Sequence, residues 1–183
     1  MAKRHEEIDE RLRAFIVGQP IFFVATAGPQ GRVNLSPKGL DGTLAVLGPR
    51  RVAFLNLTGS GNETAAHLRL DDRITLMFCA FSGPPNILRL YGRGRSIGVE
   101  RPGFDELASH FGDLPGQRQI VDITVEEIIT SCGYGVPLMD FAGQRDTLVK
   151  WAEKKGDEGI RAYWRDKNAR SFDGLPTGVI EQD

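Results

Sequence analysis

A mainly β fold, an antiparallel barrel or sandwich with helices at its flanks, is what this sequence predicts, on three observations. Apolar runs of strand length recur between residues 21 and 129, glycine- and proline-rich turns separate them, and few are spaced for a crossover helix. The 183 residues suit one domain, and a composition 40% hydrophobic and 26% charged is that of an ordinary globular protein.

The elements follow in order. Ile8, Leu12, Phe15 and Ile16 fall on one face at helical spacing, which predicts an amphipathic opening helix ending near Gly18 and closed by Pro20. Ile21 to Ala27 is aromatic and β-branched, Gly28-Pro29-Gln30-Gly31 is dense in turn formers, and Arg32 to Ser36 resumes a strand, so this is a β-hairpin. Thr43 to Leu47 and Arg51 to Leu57 make a second pair, followed by a helix-like run from Asn62 to Leu70. Ile74 to Ala80 is apolar on both faces and reads as a central strand. Ile87 to Ile97 places Leu88 and Leu90 on one face and Arg89, Tyr91, Arg93 and Arg95 on the other, a cationic row best read as a solvated sheet face. Its Gly92-Arg93-Gly94-Arg95-Ser96-Ile97-Gly98 is no dinucleotide fingerprint, because it lies within a strand and the spacing is wrong. Pro102 to Phe111 reads as a short helix and Gln119 to Ile129 as the last strand. After Cys132-Gly133-Tyr134-Gly135-Val136-Pro137, taken as a structural turn, two helix-like runs near Leu148 to Lys155 and Ile160 to Lys167 are separated at Gly156. Trp151, Tyr163 and Trp164 in this tail need a surface to pack on, and a neighbouring subunit is the candidate.

Composition removes several functions. A net charge of −1 gives no footprint for nucleic acid or an anionic membrane. Two cysteines, Cys79 and Cys132, and three scattered histidines, His5, His67 and His110, show no metal-ligand spacing and no disulfide framework. The charged amino terminus, Met1 to Glu7, is neither a secretory signal nor a membrane span, which makes the cytoplasm the expected compartment.

Thr58-Gly59-Ser60-Gly61-Asn62-Glu63-Thr64 carries the chemistry. Glycines let backbone amides approach a ligand, the first turn of a following helix leaves amides unpaired, and Ser60, Asn62 and Thr64 add side-chain donors, so the stretch suits an anion such as phosphate. Its bland alternative is a helix cap by Ser60 or Asn62. Asn34-Leu35-Ser36-Pro37-Lys38-Gly39 offers a hydroxyl, a rigid turn and a cation at a strand end, where it could converge on the same anion.

These stretches, with Phe23 to Thr26 and Arg89 to Gly94, resemble the FMN-binding split-barrel family related to pyridoxamine 5′-phosphate oxidase. The resemblance covers the barrel, about residues 15–131, and leaves a helical tail at about 140–183 within one domain 1–183. It implies a six-stranded antiparallel barrel that forms a homodimer with FMN at the interface. It implies that Asn34, Leu35, Ser36, Pro37 and Lys38 line the flavin, and that Gly61, Asn62 and Thr64, helped by Ser60, hold its phosphate. Arg170 and Ser171 could reach the flavin across the dimer, and Lys38 or Arg170 would supply a cation beside it. The family often has an arginine and lysine pair in the phosphate loop where this chain has glycine, asparagine and glutamate; Lys38 and the row led by Arg89 are the candidates to compensate. No histidine follows His110, which argues against oxidation of pyridoxamine phosphate itself. The implied activity is flavin-mediated hydride or electron transfer with a small organic substrate, with NAD(P)H as a donor and no assignable catalytic acid or base. A deazaflavin- or haem-binding barrel and a non-catalytic flavin binder are the alternatives.

Overall fold

Burial that alternates along a strand fixes which side faces the core, and here it curls one sheet around an apolar interior. The computed structural model describes residues 2–180. In chain order the elements are β1 (Lys3–His5), α1 (Glu10–Val17), β2 (Ile21–Ala27), β3 (Val33–Gly39), β4 (Leu44–Gly48), β5 (Arg51–Leu57), α2 (Glu63–Leu68), β6 (Arg73–Cys79), β7 (Ile87–Gly98), α3 (Phe104–Ala108), β8 (Gln117–Ser131) and α4 (Thr147–Tyr163), which runs into a π-helical turn over Trp164–Asn168. No helix among the described residues is long and apolar enough to cross a membrane.

The sheet has eight antiparallel strands in the order β3-β2-β6-β7-β8-β5-β4, with β1 on β8, rather than the six that the resemblance implies. β1 pairs with Ile128–Thr130 over three residues, too few to show a period in sequence. The path ends at β3 and β4, which do not pair, so the barrel is split. Phe22, Val24, Phe54, Leu76, Phe78, Leu90 and Ile123 fill its interior, and Leu12 and Ile16 of α1 pack into the same cluster. Asp9 caps α1 by accepting from the Leu12 amide at 2.7 Å. On the other side of the sheet Leu55, Leu57, Ile97 and Ile120 pack against Phe104 and Leu107 of α3.

Three expectations change in detail. The strand read as ending at Ser36 continues to Gly39, with Pro37 opposite Phe23; an edge strand tolerates a proline because its missing N–H faces no neighbour. β8 begins at Gln117 rather than Gln119. The tail finds a surface on its own barrel, where Trp164 is buried and its Nε1 donates to Thr58 Oγ1 at 2.8 Å, while Trp151 and Tyr163 stay half-buried. The break at Gly156 is present, with φ of 62° inside α4. Gly92 is structural, as the failed fingerprint implied: a Cβ there would run into the Thr124 carbonyl where the β7–β8 register shifts.

Candidate functional site

A cleft of about 910 Å³ opens at the split, between β3 and the carboxy-terminal end of β5. Strand alternation supplies one wall: Asn34, Ser36 and Lys38 turn to the half-buried side of β3, while Val33 and Leu35 face out at 76% and 63% exposure. The glycine loop between β5 and α2 supplies the other. Of the residues expected to bind, Ser36, Pro37, Lys38, Ser60, Gly61, Asn62 and Thr64 line this one cleft. Two stretches more than twenty residues apart in sequence are thus brought together, as their resemblance implied.

The remaining four lie elsewhere. Asn34 stands behind the wall as a brace, donating from Nδ2 to Thr64 Oγ1 at 3.2 Å and accepting from Ser36 Oγ at 3.0 Å. Leu35 is on the opposite face of β3, because adjacent residues of a strand point to opposite sides. Arg170 and Ser171 do not line the cleft: Arg170 Nη1 donates to the Gly174 carbonyl at 2.8 Å, and Ser171 is buried in the same turn, where its Oγ accepts from the Leu175 amide. That turn is tied down locally, the Phe172 amide donating to the Glu63 carboxylate and Arg32 pairing with Asp173.

The polar loop residues are also less free than their sequence suggests. Asn62 precedes α2 but makes no cap; its amide pairs reciprocally with that of Gln119, at 2.8 and 3.4 Å. α2 itself is only six residues long. Neither the helix end nor Asn62 therefore dominates the charge of the cleft.

Charge comes instead from two cations, Lys38, half-buried, and Arg118, buried. Lys38 reaches across the split, and its Nζ donates to Asn56 Oδ1 at 2.9 Å. Burial, reinforced by the nearby Arg118 charge, pulls the Lys38 ammonium down to about 8. Arg118 is 2% exposed, and burial pulls it down to about 10. Its Nη1 donates to Asn168 Oδ1 at 2.8 Å, and its Nε has no hydrogen-bond partner. No ion pair to a carboxylate compensates either cation among the described residues. Glu63 is the one carboxylate among the described residues that line the cleft, and it is engaged by the Phe172 amide. A charge withdrawn from water without a counter-charge is costly, and the pair leaves the cleft with positive charge that an anion would balance.

Arg118 is the residue that sequence reading missed. It sits just before the stretch that reads as the last strand, while the row of Arg89, Arg93 and Arg95 is the more conspicuous cationic feature of the sequence. That row does not line the cleft. The usable signal was an arginine next to a run, Ile120 to Val125, that is otherwise almost wholly buried.

The rest of the cleft is mainly apolar. Leu40, Leu55, Leu57, Leu148 and Trp151 contribute to it, along with Phe141 and Arg145 from an exposed strap. Gln144 pins that strap by accepting from the Leu40 amide at 3.2 Å and donating to the Asp41 carboxylate at 3.2 Å. Leu40 holds φ at 74°, uncommon for a side chain of its size, at the turn that closes this wall.

Comparison with known proteins gives the same frame. The sequence model of the family described as pyridoxamine 5′-phosphate oxidase matches residues 8–132. The pyridoxamine 5′-phosphate oxidase family protein ustO of Aspergillus flavus is 38% identical over 189 aligned positions, covering 94% of this chain and 76% of the relative. Among solved structures, a HupZ variant of Group A Streptococcus superposes with a TM-score of 0.56 at 18% identity, over 68% of this chain and 99% of the other. An FAD-binding protein from Mesorhizobium loti superposes with a TM-score of 0.50 at 11% identity, over 71% and 96%. These two likenesses concern the fold.

Proposed function

Because the chain belongs to the pyridoxamine 5′-phosphate oxidase family, we propose that it binds FMN in the cleft at the split and acts as a flavin-dependent oxidoreductase on a small organic substrate. The observation that carries this reading is a pair of cations without a carboxylate partner, half-buried Lys38 and buried Arg118, beside the loop Gly59 to Gly61. A phosphate monoester matches them: it brings negative charge and several acceptor oxygens for charge-assisted hydrogen bonds. Bound FMN would supply hydride and electron transfer at its ring system. The chain's part is to hold the phosphate with Lys38, Arg118, Ser60 and the loop amides, and to keep water from the ring with Leu40, Leu57, Leu148 and Trp151. At about 910 Å³ the cleft is at the upper end for a small-molecule site, which leaves room for substrate beside the cofactor.

The flavin is favoured over haem by the lining itself. Among the described residues no histidine, cysteine, methionine or tyrosine lines the cleft, so it offers a haem iron none of the usual axial ligands. A homodimer is part of the reading: Val33 and Leu35 form an exposed apolar strip on the edge strand that carries the site, a surface suited to a second copy of the chain.

The test is the absorbance spectrum of freshly purified protein with mass identification of the released ligand. A flavin spectrum and the mass of FMN are expected, and bleaching on anaerobic addition of NADH or NADPH separates an enzyme from a flavin carrier. A colourless protein that takes up no FMN overturns the reading. Light scattering in solution is expected to give twice the chain mass, and a monomer would remove the homodimer.

A further inference from the structure

Asn168 fastens the glycine loop and Arg118 to the carboxy-terminal segment with one side chain. Asn168 is wholly buried in the π-helical turn, 0% exposed. Its Oδ1 accepts from Arg118 Nη1 at 2.8 Å, while its Nδ2 donates to the Gly59 carbonyl at 3.1 Å and more weakly to that of Ser60 at 3.5 Å. The amide uses both ends: one fixes the guanidinium, the other fixes the loop. Its own carbonyl accepts from Thr177 Oγ1 at 2.6 Å, which locks the turn from behind. Four residues earlier, Trp164 bonds to Thr58 at the start of the same loop. π-turns inside helices persist where a particular placement of side chains is required.

Resting on the FMN reading above, we propose that Arg118 is the main phosphate-binding cation and that Asn168 is its positioning residue, so that the carboxy-terminal segment completes the phosphate site within the same chain. A structural strut in this place would carry a carboxylate, because a buried guanidinium is stabilised best by a counter-charge. An amide gives geometry without neutralising the charge. Arg118 is held but left cationic, and its Nε is left unpartnered. The arrangement also answers the departure of the glycine loop from the family's pattern: the charge that the loop lacks arrives from β8, and the tail aims it.

Titration of FMN and of riboflavin into the ligand-free full-length protein, followed by quenching of flavin fluorescence, tests this, because the two ligands differ only in the phosphate. Wild type is expected to prefer FMN strongly. Arg118→Met should reduce that preference by about ten- to hundredfold, with riboflavin affinity unchanged. Arg118→Lys should keep part of the preference. Asn168→Asp, nearly isosteric, places a carboxylate on Arg118 and gives up the donor to the Gly59 carbonyl, and should reduce the preference as Arg118→Met does, with riboflavin affinity unchanged; a merely structural asparagine would instead affect both ligands alike. An unchanged preference in Arg118→Met overturns the role of Arg118, and an unchanged preference in Asn168→Asp overturns that of Asn168, with FMN binding intact in both cases. Failure of wild type to bind either flavin would overturn the underlying FMN reading instead.

Discussion

On β7, Arg93 and Arg95 stand at the surface and meet carboxylates: Arg93 bonds to Asp72 at 2.7 Å and Glu126 at 3.1 Å, and Arg95 shares Asp122 with Arg51. In the cleft, half-buried Lys38 and buried Arg118 meet no carboxylate among the described residues and donate instead to the amide oxygens of Asn56 and Asn168. The first set is conspicuous in sequence, as alternating positions of one strand, and is electrically finished. The second set is two residues eighty positions apart, and it is electrically open. A functional cation is marked here by burial without a counter-charge, and density of positive residues is a poor guide to it.

The largest effect should come from removing the open pair. Lys38→Met with Arg118→Met is expected to cost about 3–5 kcal/mol of FMN affinity, the sum of two charge-assisted contacts, while the ligand-free protein melts higher because two charges without a carboxylate partner, one buried and one half-buried, are gone. Equal FMN affinity in that variant, measured by fluorescence titration, would erase the distinction. Next in size is the closed set. Burial pushes Asp122 up, but hydrogen bonds and charge from Arg51 and Arg95 outweigh it and hold its carboxyl below the usual range. Asp122→Asn should therefore lower stability by about 1–3 kcal/mol in urea unfolding and leave FMN binding alone.

Titration of Lys38 gives a smaller and reversible effect. Its folded value of about 8 lies below the value near 10.4 of a lysine in an unfolded chain, so the unfolded chain binds more protons between those limits. Stability of the ligand-free protein should rise as pH increases through that window. FMN affinity should fall through the same window, because the phosphate must then draw a proton back onto Lys38. Parallel urea and fluorescence titrations at pH 7, 8 and 9.5 read both, and trends of the same sign would show that Lys38 is not in the phosphate site. The smallest effect is Arg93→Gln, expected to stay within about 0.5 kcal/mol in stability, with FMN affinity unaltered.

What could be read in advance follows the same division between local and assembled information. The strands were legible because period-two burial is written into residues such as Leu88, Leu90 and Gly92, and α1 because Leu12 and Ile16 recur at helical spacing. The two walls of the cleft were legible because each is a contiguous stretch. β1 was not, since three residues carry no period, nor was the passage of β3 through Pro37, which depends on that strand lying at the sheet edge. Arg118 and Asn168 escaped because they are fifty positions apart and meet only once the tail has docked. The docking turns on Trp164 finding Thr58, a contact that an aromatic-rich tail announces only as a need for some surface.

The position of β8 has a consequence for how the chain is made. β8 is the last strand to be synthesised, yet it lies inside the sheet and pairs with β1, β5 and β7. Until residues 117–131 emerge from the ribosome, β5 and β7 each have an edge with nothing to bind and β1 has no partner at all. The barrel therefore closes late, through contacts of long sequence separation, and the nascent chain carries sticky strand edges for most of its synthesis. Nascent-chain aggregation and chaperone dependence should drop sharply once the ribosome has passed that point.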